Sequence, residues 1–389
     1  MPNLRPVVAH VMRGFLDGTE TFIGNQIMTL NAFKPIVLCH HQLEGHGFPL
    51  DDIASATETL TGAWRMIGRG AYKLFRVTTR SAVDALARYA FEREARLLHF
   101  HYVVDARFFV ALKRKTGLPT LVSAYGYDVS SFPKLYGGFG KHYLRAAFDQ
   151  FDWFIAMSHD MRRDMISLGC PPDKIIVHYH GIDTQRFAYP ERVYDGKDEI
   201  TVLACGMLEI KKAQHLTLQA LRLMEQRGMT KRRFRVEIVG DGPMRAALEH
   251  QVREYGWEDK VNFHGHIPHH EKSLVEAYRR ADIFSLPSVT VKHDKEGIPG
   301  TIVEAMASGL PVVSSVHAGI PEIISCARDG LLVEEGDVEA MARAFADLMN
   351  DVSLRQRLGQ AAARRAMTEL DLKQCTARLE DLYRRILGM

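Results

Sequence analysis

Short apolar runs rich in β-branched residues recur along the chain, separated by stretches with helical spacing. Each run is continuous rather than alternating, which is typical of strands buried on both faces of a parallel sheet. The runs lie at residues 7–11, 36–39, 97–99, 121–124, 154–156, 175–178, 201–205, 236–239, 261–263, 283–286 and 312–314. Strands that alternate with helices predict an α/β fold in which helices cover both faces of each sheet.

The strand and helix pattern divides into two sets at a polar stretch with Pro and Gly, "FAYPERVYDGKDE", residues 187–199. At about 150 residues per domain, 389 residues suggest two or three domains. We predict two doubly wound Rossmann-like domains, 1–190 and 191–370, facing a cleft, and a C-terminal helix, 371–389. This helix has one apolar stripe at steps of three and four, and it can pack on either domain, including by crossing back to the first. The stripe consists of Leu372, Cys375, Leu379, Leu382 and Ile386.

Composition narrows the class of protein. A net charge of +3 and the absence of a basic tail argue against nucleic acid as a partner. The five cysteines are widely spaced without a C-x-x-C pair, which suits reduced thiols in the cytoplasm rather than disulfides or a zinc site. No stretch approaches 18 apolar residues and the N-terminus does not resemble a signal peptide, so we expect a cytoplasmic protein.

The candidate chemistry lies in an unusually long connection. Fourteen residues, "PSVTVKHDKEGIPG", separate the run at 283–286 from a predicted helix at 301–308, where two to six are usual, and such long loops are commonly functional. Gly297 and Gly300 bend the chain and leave the helix start open. The unpaired N–H groups of Gly300, Thr301 and Ile302 then predict a phosphate site.

Two carboxylates, Glu296 and Glu304, flank this helix start. A carboxylate near a bound diphosphate is repelled unless it faces a neutral group. The hydroxyls of a sugar are neutral and can donate hydrogen bonds to a carboxylate. Glu304 would then bind a ribose and Glu296 a transferred sugar. Equally, Glu304 can complement the helix dipole while Glu296 is solvated, because acids at helix starts are common.

The longer stretch "EGIPGTIVEAMASGLPVVSSVHAGIPEII", 296–324, resembles the signature of family-4 glycosyltransferases, which are retaining enzymes with the GT-B fold. Four further segments follow that family's order and spacing: "GIDTQRF" (181–187), "VGDGPMRAAL" (239–248), "VNFHGHIP" (261–268) and "ADIFSLPS" (281–288). "FLDGTETFIGNQI" (15–27), which contains Glu20, looks most like the branch that builds bacterial exopolysaccharides and lipid-linked sugar chains. The resemblance implies that Glu304 binds the ribose, Glu296 the donor sugar, and Gly300–Ile302 the distal phosphate.

The family's Gly-Arg-x-x-x-x-Lys element reads "GMLEIKKA" here, 206–213. Lys212 matches the lysine, with Lys211 beside it, but Met207 occupies the arginine position. These cations would stabilise the departing diphosphate, since this class needs no metal or other cofactor. Two solvated lysines at a helix start are the alternative interpretation.

A second departure lies in "AYGYDVSS", 124–131, which aligns with the family's H-G-x-D. Gly126 and Asp128 match, whereas Tyr125 replaces a histidine that contacts the donor sugar in the family. A tyrosine hydroxyl can still donate and accept a hydrogen bond, but it does not titrate near neutral pH. Both departures leave open a weakly active or non-catalytic member.

The histidines and Glu20 complete the candidates. His99 and His101 are two residues apart at a strand end, so both point to one side. By resemblance, Glu20, His101 and Asp128 lie on the acceptor side, although a structural role for His101 is as good an interpretation. His178 and His180 have metal-like spacing, but nothing completes a site and we predict no metal.

Residues 61–80 place Arg65, Arg69, Lys73, Arg76 and Arg80 on one helical face and contain no acid. A basic amphipathic segment suits an anionic membrane surface. A solvated face on a packed helix is the alternative. Because the N-terminal domain takes the acceptor in the family, this segment favours a lipid-linked acceptor.

The sequence therefore predicts a retaining, metal-independent glycosyltransferase at the inner face of the cell membrane. It would move a sugar from a nucleoside-diphosphate sugar to a saccharide or lipid-linked acceptor in bacterial surface polysaccharide biosynthesis. The alternative is a nucleotide-sugar-binding protein without turnover in a polysaccharide assembly complex. Release of nucleoside diphosphate discriminates between the two.

Overall fold

The computed structural model describes residues 5–15, 21–42, 50, 52–56, 78–190 and 192–389. Glu20 and most of the basic segment, residues 61–77, lie outside the described residues. The predictions made for them therefore stay predictions.

Two parallel sheets organise the chain, one of seven strands in the order β3-β2-β1-β4-β5-β6-β7 and one of six in the order β10-β9-β8-β11-β12-β13. The strands are β1 (Val7–Phe15), β2 (Lys34–Gln42), β3 (Ile53–Ser55), β4 (Ala95–His101), β5 (Thr120–Ser123), β6 (Trp153–Ala156), β7 (Ile175–Val177), β8 (Glu199–Cys205), β9 (Arg233–Val239), β10 (Val261–Gly265), β11 (Ile283–Leu286), β12 (Val312–Ser315) and β13 (Leu331–Val333). In both sheets the strand order reverses beside the first strand, which is the doubly wound topology. The predicted α/β fold with two Rossmann-like sheets is confirmed.

Helices connect these strands. The α-helices are Thr21–Thr29, Arg80–Glu92, Val103–Ala106, Val110–Thr116, Tyr127–Ser130, Phe139–Phe148, His159–Ser167, Thr184–Phe187, Gln214–Gln226, Arg245–Tyr255, Lys272–Arg280, Gly300–Ala307, Ile320–Ile323, Val338–Asn350, Val352–Glu369 and Leu372–Leu387. Short 3₁₀ helices lie at Arg107–Phe109, Phe132–Gly138, Pro172–Lys174 and Ile210–Lys212. None of the helices in the described part of the chain is long and apolar enough to span a membrane.

The chain divides into two compact units, the first comprising Met1–His180 and Leu372–Met389 and the second Gly181–Asp371. The sequence places the first boundary at residue 190, and the units divide at residue 180. The last helix crosses back to the first unit, where Leu379 and Leu382 are buried in the core. The Glu380 carboxylate accepts hydrogen bonds from the backbone N–H groups of residues 31–33, which fastens this helix to the loop before β2.

Every predicted apolar run falls within an observed strand or overlaps one. The pattern missed β3 and β13, each of three residues at a sheet edge. Elements this short are easily missed, because a run of three residues does not by itself distinguish a strand from a helix segment.

Candidate functional site

The predicted phosphate site lies in the second unit, where the loop 287–299 leads from β11 into the helix Gly300–Ala307. This helix begins after Pro299, which provides no side-chain cap. The Ile302 N–H donates to the Pro299 carbonyl at 3.1 Å. Within the described part of the chain, no hydrogen bond leaves the amides of Gly300 and Thr301. Two of the three predicted donors thus remain available to an anion.

Three buried polar atoms lack partners along the loop 287–299 and the first turn of the helix. The Thr301 hydroxyl, the Ser288 hydroxyl and the Oε1 atom of Glu296 are all shielded from solvent, with no hydrogen-bond partner among the described residues. Leaving such a group unpaired costs about 1–3 kcal/mol. The loop and the helix start therefore present donors and acceptors that a polar ligand would satisfy.

Glu296 and Lys212 form an ion pair at this site. The Lys212 Nζ donates to Glu296 Oε2 at 2.9 Å, and the two side chains are only 15% and 10% exposed. Lys212 ends the short 3₁₀ helix that follows β8, so the contact joins the carboxyl ends of two strands. The predicted cation thus lies beside the predicted sugar-binding carboxylate, and one Glu296 oxygen is engaged while the other is not.

Lys211 turns to a different carboxylate. Its Nζ donates to Asp294 Oδ2 at 3.0 Å. Burial alone would lower the pKa of Lys211, but the nearby carboxylates of Glu296 and Asp294 outweigh it and raise that pKa above its usual range. Lys211 is therefore a cation held against the loop 287–299 rather than a solvated side chain.

Glu304, one turn into the helix, is buried and held by two donors. The Tyr278 hydroxyl donates to its Oε2 at 2.6 Å, and His269 Nε2 lies 3.2 Å from its Oε1. Burial first, and then the neighbouring Cys205 and Glu304, raise the pKa of Tyr278 well above its usual value, so the tyrosine stays a donor. Two side-chain contacts, from Tyr278 and His269, thus hold the carboxylate in place, as we expect for a ribose-binding group. A carboxylate that only capped the helix would not need them.

The loop that carries Met207 and Lys212 packs against the glycine-rich turn after β9. Gly240 has φ +137°, and a Cβ there would lie 2.0 Å from a backbone oxygen. Gly242 has φ +153°, and its Cβ would lie 2.6 Å from another. Only glycine fits both positions. Met207 itself is 45% exposed.

The first unit holds Tyr125 and the acceptor-side candidates. The Tyr125 hydroxyl hydrogen-bonds to His101 Nδ1 at 2.7 Å. Asp128 accepts from the backbone N–H groups of Val103 and Tyr125 at 2.8 and 3.0 Å, which ties the loops after β4 and β5 together. Burial raises the pKa of Asp128 to about 6. Roles at the acceptor stay predictions, because Asp128 and His101 are both fully buried.

Three buried histidines, His10, His99 and His101, form the one group of possible metal ligands within the described ranges. His10 Nδ1 and His101 Nε2 lie 3.0 Å apart, and His99 bonds to Tyr383 and Ser123 at 2.7 and 2.8 Å. Hydrogen bonds thus occupy both ring nitrogens of His99 and of His101. Burial lowers the pKa of His10 to about 3, so the ring is neutral. We describe this group as a hydrogen-bonded network.

Sequence reasoning did not assign roles to Tyr278, His269, His317 or Glu335. His317 Nδ1 donates to Glu335 Oε1 at 2.5 Å, and its Nε2 accepts from the Glu296 N–H at 3.0 Å. These partners lie 18 or more residues apart in sequence. A local motif cannot reveal these contacts. The one available signal is that in "SVHAGIPE" the histidine follows shortly after the predicted strand 312–314.

Two family models match adjoining parts of the chain. One described as "Glycosyltransferase Family 4" matches residues 37–186, and one described as "Glycosyl transferases group 1" matches residues 187–365. Their boundary falls near the division between the two compact units.

Curated relatives match with similar identity. A Salmonella typhimurium protein named as a colanic acid biosynthesis glycosyltransferase, WcaL, is 35% identical over 57% of this chain and 53% of its own length. The amylovoran biosynthesis glycosyltransferase AmsK of Erwinia amylovora is 36% identical over 50% of this chain and 47% of its own. The chain spans about half the length of the curated relatives it matches.

Solved structures agree over nearly the whole chain. The crystal structure of HepE from Anabaena in complex with UDP has a TM-score of 0.77 at 16% identity, covering 97% of this chain and 99% of HepE. At that identity the likeness shows the fold alone, which is the predicted GT-B fold. Since the two family models together match residues 37–365 and the fold agrees, this chain belongs to the family-4 glycosyltransferases.

Proposed function

We propose that this chain is a retaining glycosyltransferase. It moves a sugar from a nucleoside-diphosphate sugar to a saccharide or lipid-linked acceptor in bacterial surface polysaccharide biosynthesis. The observation that carries the proposal is the unpartnered, buried Glu296 Oε1 beside the Lys212 ammonium, next to a helix start with unpaired amides. A neutral hydroxyl satisfies the first and a diphosphate the other two. Relatives named for exopolysaccharide biosynthesis support the pathway class.

The residues supply charge and position in this reaction. The C1–O bond to the diphosphate breaks and its electron pair stays on the diphosphate. The acceptor hydroxyl oxygen bonds to C1 on the same face, and its proton passes to the leaving phosphate oxygen. Lys212 and the amides of Gly300 and Thr301 stabilise the developing negative charge, so the reaction needs no metal. Glu296 positions the donor sugar and Glu304 the ribose.

The donor can be found by a thermal-shift screen of UDP-, GDP- and ADP-sugars. A ligand at 100 times its dissociation constant adds about 2.7 kcal/mol of stability. The selected donor is then incubated with a lipid-linked acceptor in EDTA, and we expect nucleoside diphosphate release with the donor's anomeric configuration kept, as read by NMR. An inverted product, or a rate abolished by EDTA and restored by a divalent cation, would contradict the mechanism.

A groove in the first unit supports an amphipathic, anionic acceptor. It encloses about 1170 Å³ and includes three exposed apolar side chains, Tyr127, Leu135 and Phe139. Its described lining contains Arg107 and other cations but no carboxylate. The buried Nε of Arg107 has no hydrogen-bond partner among the described residues. We propose that the apolar chain of a lipid-linked acceptor lies here with its phosphate near Arg107.

Phe139→Ser tests this groove, because Phe139 is 73% exposed and its replacement leaves the core intact. We expect a KM for the lipid-linked acceptor at least fivefold higher and an unchanged KM for a short soluble acceptor. Phe91→Ser is the matched control, being 51% exposed on the helix Arg80–Glu92 outside the groove lining. Equal effects of the two variants would count against the groove.

Association with an anionic membrane surface through residues 61–80 is part of the proposal and rests on the sequence alone. Each cation near such a surface contributes about 1 kcal/mol. Replacing Arg65, Arg69 and Arg76 with Gln should reduce sedimentation with anionic liposomes and leave activity on a soluble acceptor intact. Unchanged sedimentation at low salt would remove this role.

The alternative function is a nucleotide-sugar-binding protein without turnover. The Lys212–Glu296 ion pair favours it, because a lysine already paired with a carboxylate gives less charge to a leaving diphosphate. Met207 adds to this, since it stands where the resemblance implies an arginine that would stabilise the diphosphate. Donor binding in the thermal screen without any diphosphate release would select this alternative.

A further inference from the structure

The loop that carries Glu296 is fastened to two residues after the neighbouring strands. His317 follows β12, and Glu335 follows β13. The Glu335 carboxylate accepts from the Thr290 N–H at 2.8 Å and from the Thr290 hydroxyl at 3.1 Å. It also accepts from His317, whose other ring nitrogen accepts the Glu296 N–H. One carboxylate thereby fixes both arms of the loop.

The proton positions in this arrangement follow from the chemistry of the partners. A backbone N–H can only donate, so Nε2 of His317 must be the acceptor from Glu296. A neutral imidazole carries one proton, so Nδ1 bears it and donates to Glu335. The His317 side chain is fully buried, which leaves it no solvent partner in exchange. The tautomer of His317 is thus fixed by the loop on one side and Glu335 on the other.

The loop itself adopts a conformation that needs such support. Between the two anchors, Val291 and Asp294 close a tight turn with two backbone hydrogen bonds of 3.1 and 2.8 Å. Lys292 and His293 inside the turn have φ +47° and +84°. Non-glycine residues rarely adopt this left-handed region and remain in it only when the surroundings impose it.

We infer that His317 and Glu335 are positioning residues that fix Glu296 against the donor sugar, an inference that rests on the function proposed above. In this role neither residue contacts the sugar itself. His317 acts on the backbone of Glu296, and Glu335 acts through His317 and Thr290. The Glu296 side chain then presents one oxygen to Lys212 and the other to the ligand. A loop released at this point would misplace the sugar while the phosphate site on the helix stayed formed.

A matched pair of variants separates the two hydrogen bonds of His317. Gln places its amide oxygen near the position of Nε2, so His317→Gln keeps the acceptor for the Glu296 N–H and loses the donor to Glu335. Asn reaches only the position of Nδ1, so His317→Asn keeps the donor and loses the acceptor. If anchoring Glu296 is the role, Gln should preserve function better than Asn.

The first measurement needs no ligand. Amide hydrogen exchange at Glu296 should become at least tenfold faster in His317→Asn and stay within threefold of wild type in His317→Gln. The second compares dissociation constants for UDP-glucose and UDP, or for the pair that the thermal screen selects. His317→Asn should weaken the nucleotide sugar at least tenfold and lower kcat, while binding of the diphosphate alone is unchanged.

Glu335→Gln is the second variant, and we expect it to speed exchange at Thr290, because a single amide oxygen cannot accept on both the side of the Thr290 N–H and the side of the Thr290 hydroxyl and His317. Glu334→Gln, at the neighbouring exposed position, is its control and should match wild type. Unchanged exchange in His317→Asn and Glu335→Gln, or equal losses of diphosphate and nucleotide-sugar binding, would overturn the positioning role. If amide exchange changes as expected in the variants but the wild-type protein binds no nucleotide sugar, the proposed function is overturned instead, and with it the role at the sugar.

Discussion

Replacing Glu296 with Gln should move the affinities for a nucleotide sugar and for its nucleoside diphosphate in opposite directions. Gln keeps the shape of the side chain but removes its charge. The structure shows one Glu296 oxygen on Lys212 at 2.9 Å and the other buried without a partner among the described residues. The substitution therefore weakens a hydroxyl acceptor and, in the same step, releases a cation.

The magnitudes follow from these two contacts. A hydrogen bond to a charged group is worth about 1.5–3 kcal/mol, so losing the charge that faces the sugar should weaken the nucleotide sugar roughly tenfold to a hundredfold. Lys212, no longer neutralised by Glu296, should bind the free diphosphate about twofold to tenfold more tightly. Some stability is lost as well, because a buried cation left without its counterion is costly.

Isothermal titration with UDP and UDP-glucose, or with the pair that the thermal screen selects, measures both changes. Glu304→Gln is the matched control: it should weaken both ligands alike, since a ribose belongs to both. The assay is made below the melting temperature of each variant. Equal losses of both ligands in Glu296→Gln would refute the assignment of Glu296 to the sugar, and no change in either would reduce it to a structural ion pair.

Three further results are expected. Met207→Arg should tighten diphosphate binding about tenfold by calorimetry, because the exposed position has room for the guanidinium; weaker binding would show that the site is already complete. Burial lowers the pKa of His10 to about 3, so its ring stays neutral in the fold, whereas an unfolded histidine binds a proton below about pH 6.5. The unfolded state then binds one proton more, so the free energy of unfolding falls by about 1.4 kcal/mol for each pH unit below 6.5. We would measure the free energy of unfolding in urea at several pH values between 4.5 and 6.5. Its slope against pH should be smaller by about one proton in His10→Asn and unchanged in the control His270→Asn, which replaces an exposed histidine; equal slopes in the two variants would contradict burial as the cause. Gly240→Ala should cost at least ~3 kcal/mol of unfolding free energy, and Gly300→Ala less than ~1 kcal/mol, because only the first Cβ meets backbone; similar costs would contradict the packing of the glycine turn.

Much of the fold could be read from local patterns. Central parallel strands are buried on both faces, so their apolar runs are continuous, and that signal located eleven of the strands. The stripe on the last helix was also correct, since Leu372 and Cys375 are buried along it with two further leucines. The sequence could not choose between the two units as its partner. That choice depends on contacts with distant residues, such as the hydrogen bond between Tyr383 and His99.

The candidate site was predictable only in part. The spacing of Glu296, Gly300 and Glu304 depends on neighbours in the chain and marked the helix start correctly. Which donors are engaged was not predictable, because the Ile302 N–H bonds to the residue three before it only once the first turn has formed. Gly300 also proved sterically undemanding, with a Cβ there meeting one side chain at 3.8 Å.

The sequence by itself determined the two sheets, the long loop after β11 and the chemical groups at its end, because each depends on the order and spacing of nearby residues. Only the tertiary structure decided which of those groups meet. Lys212 lies 84 residues from Glu296, and Tyr278 lies 26 from Glu304. The first pair forms where the segments after the carboxyl ends of β8 and β11 meet, and the second joins two helices of the same unit. Strand order and helix packing are set by the whole unit. Local periodicity carries no information about that order.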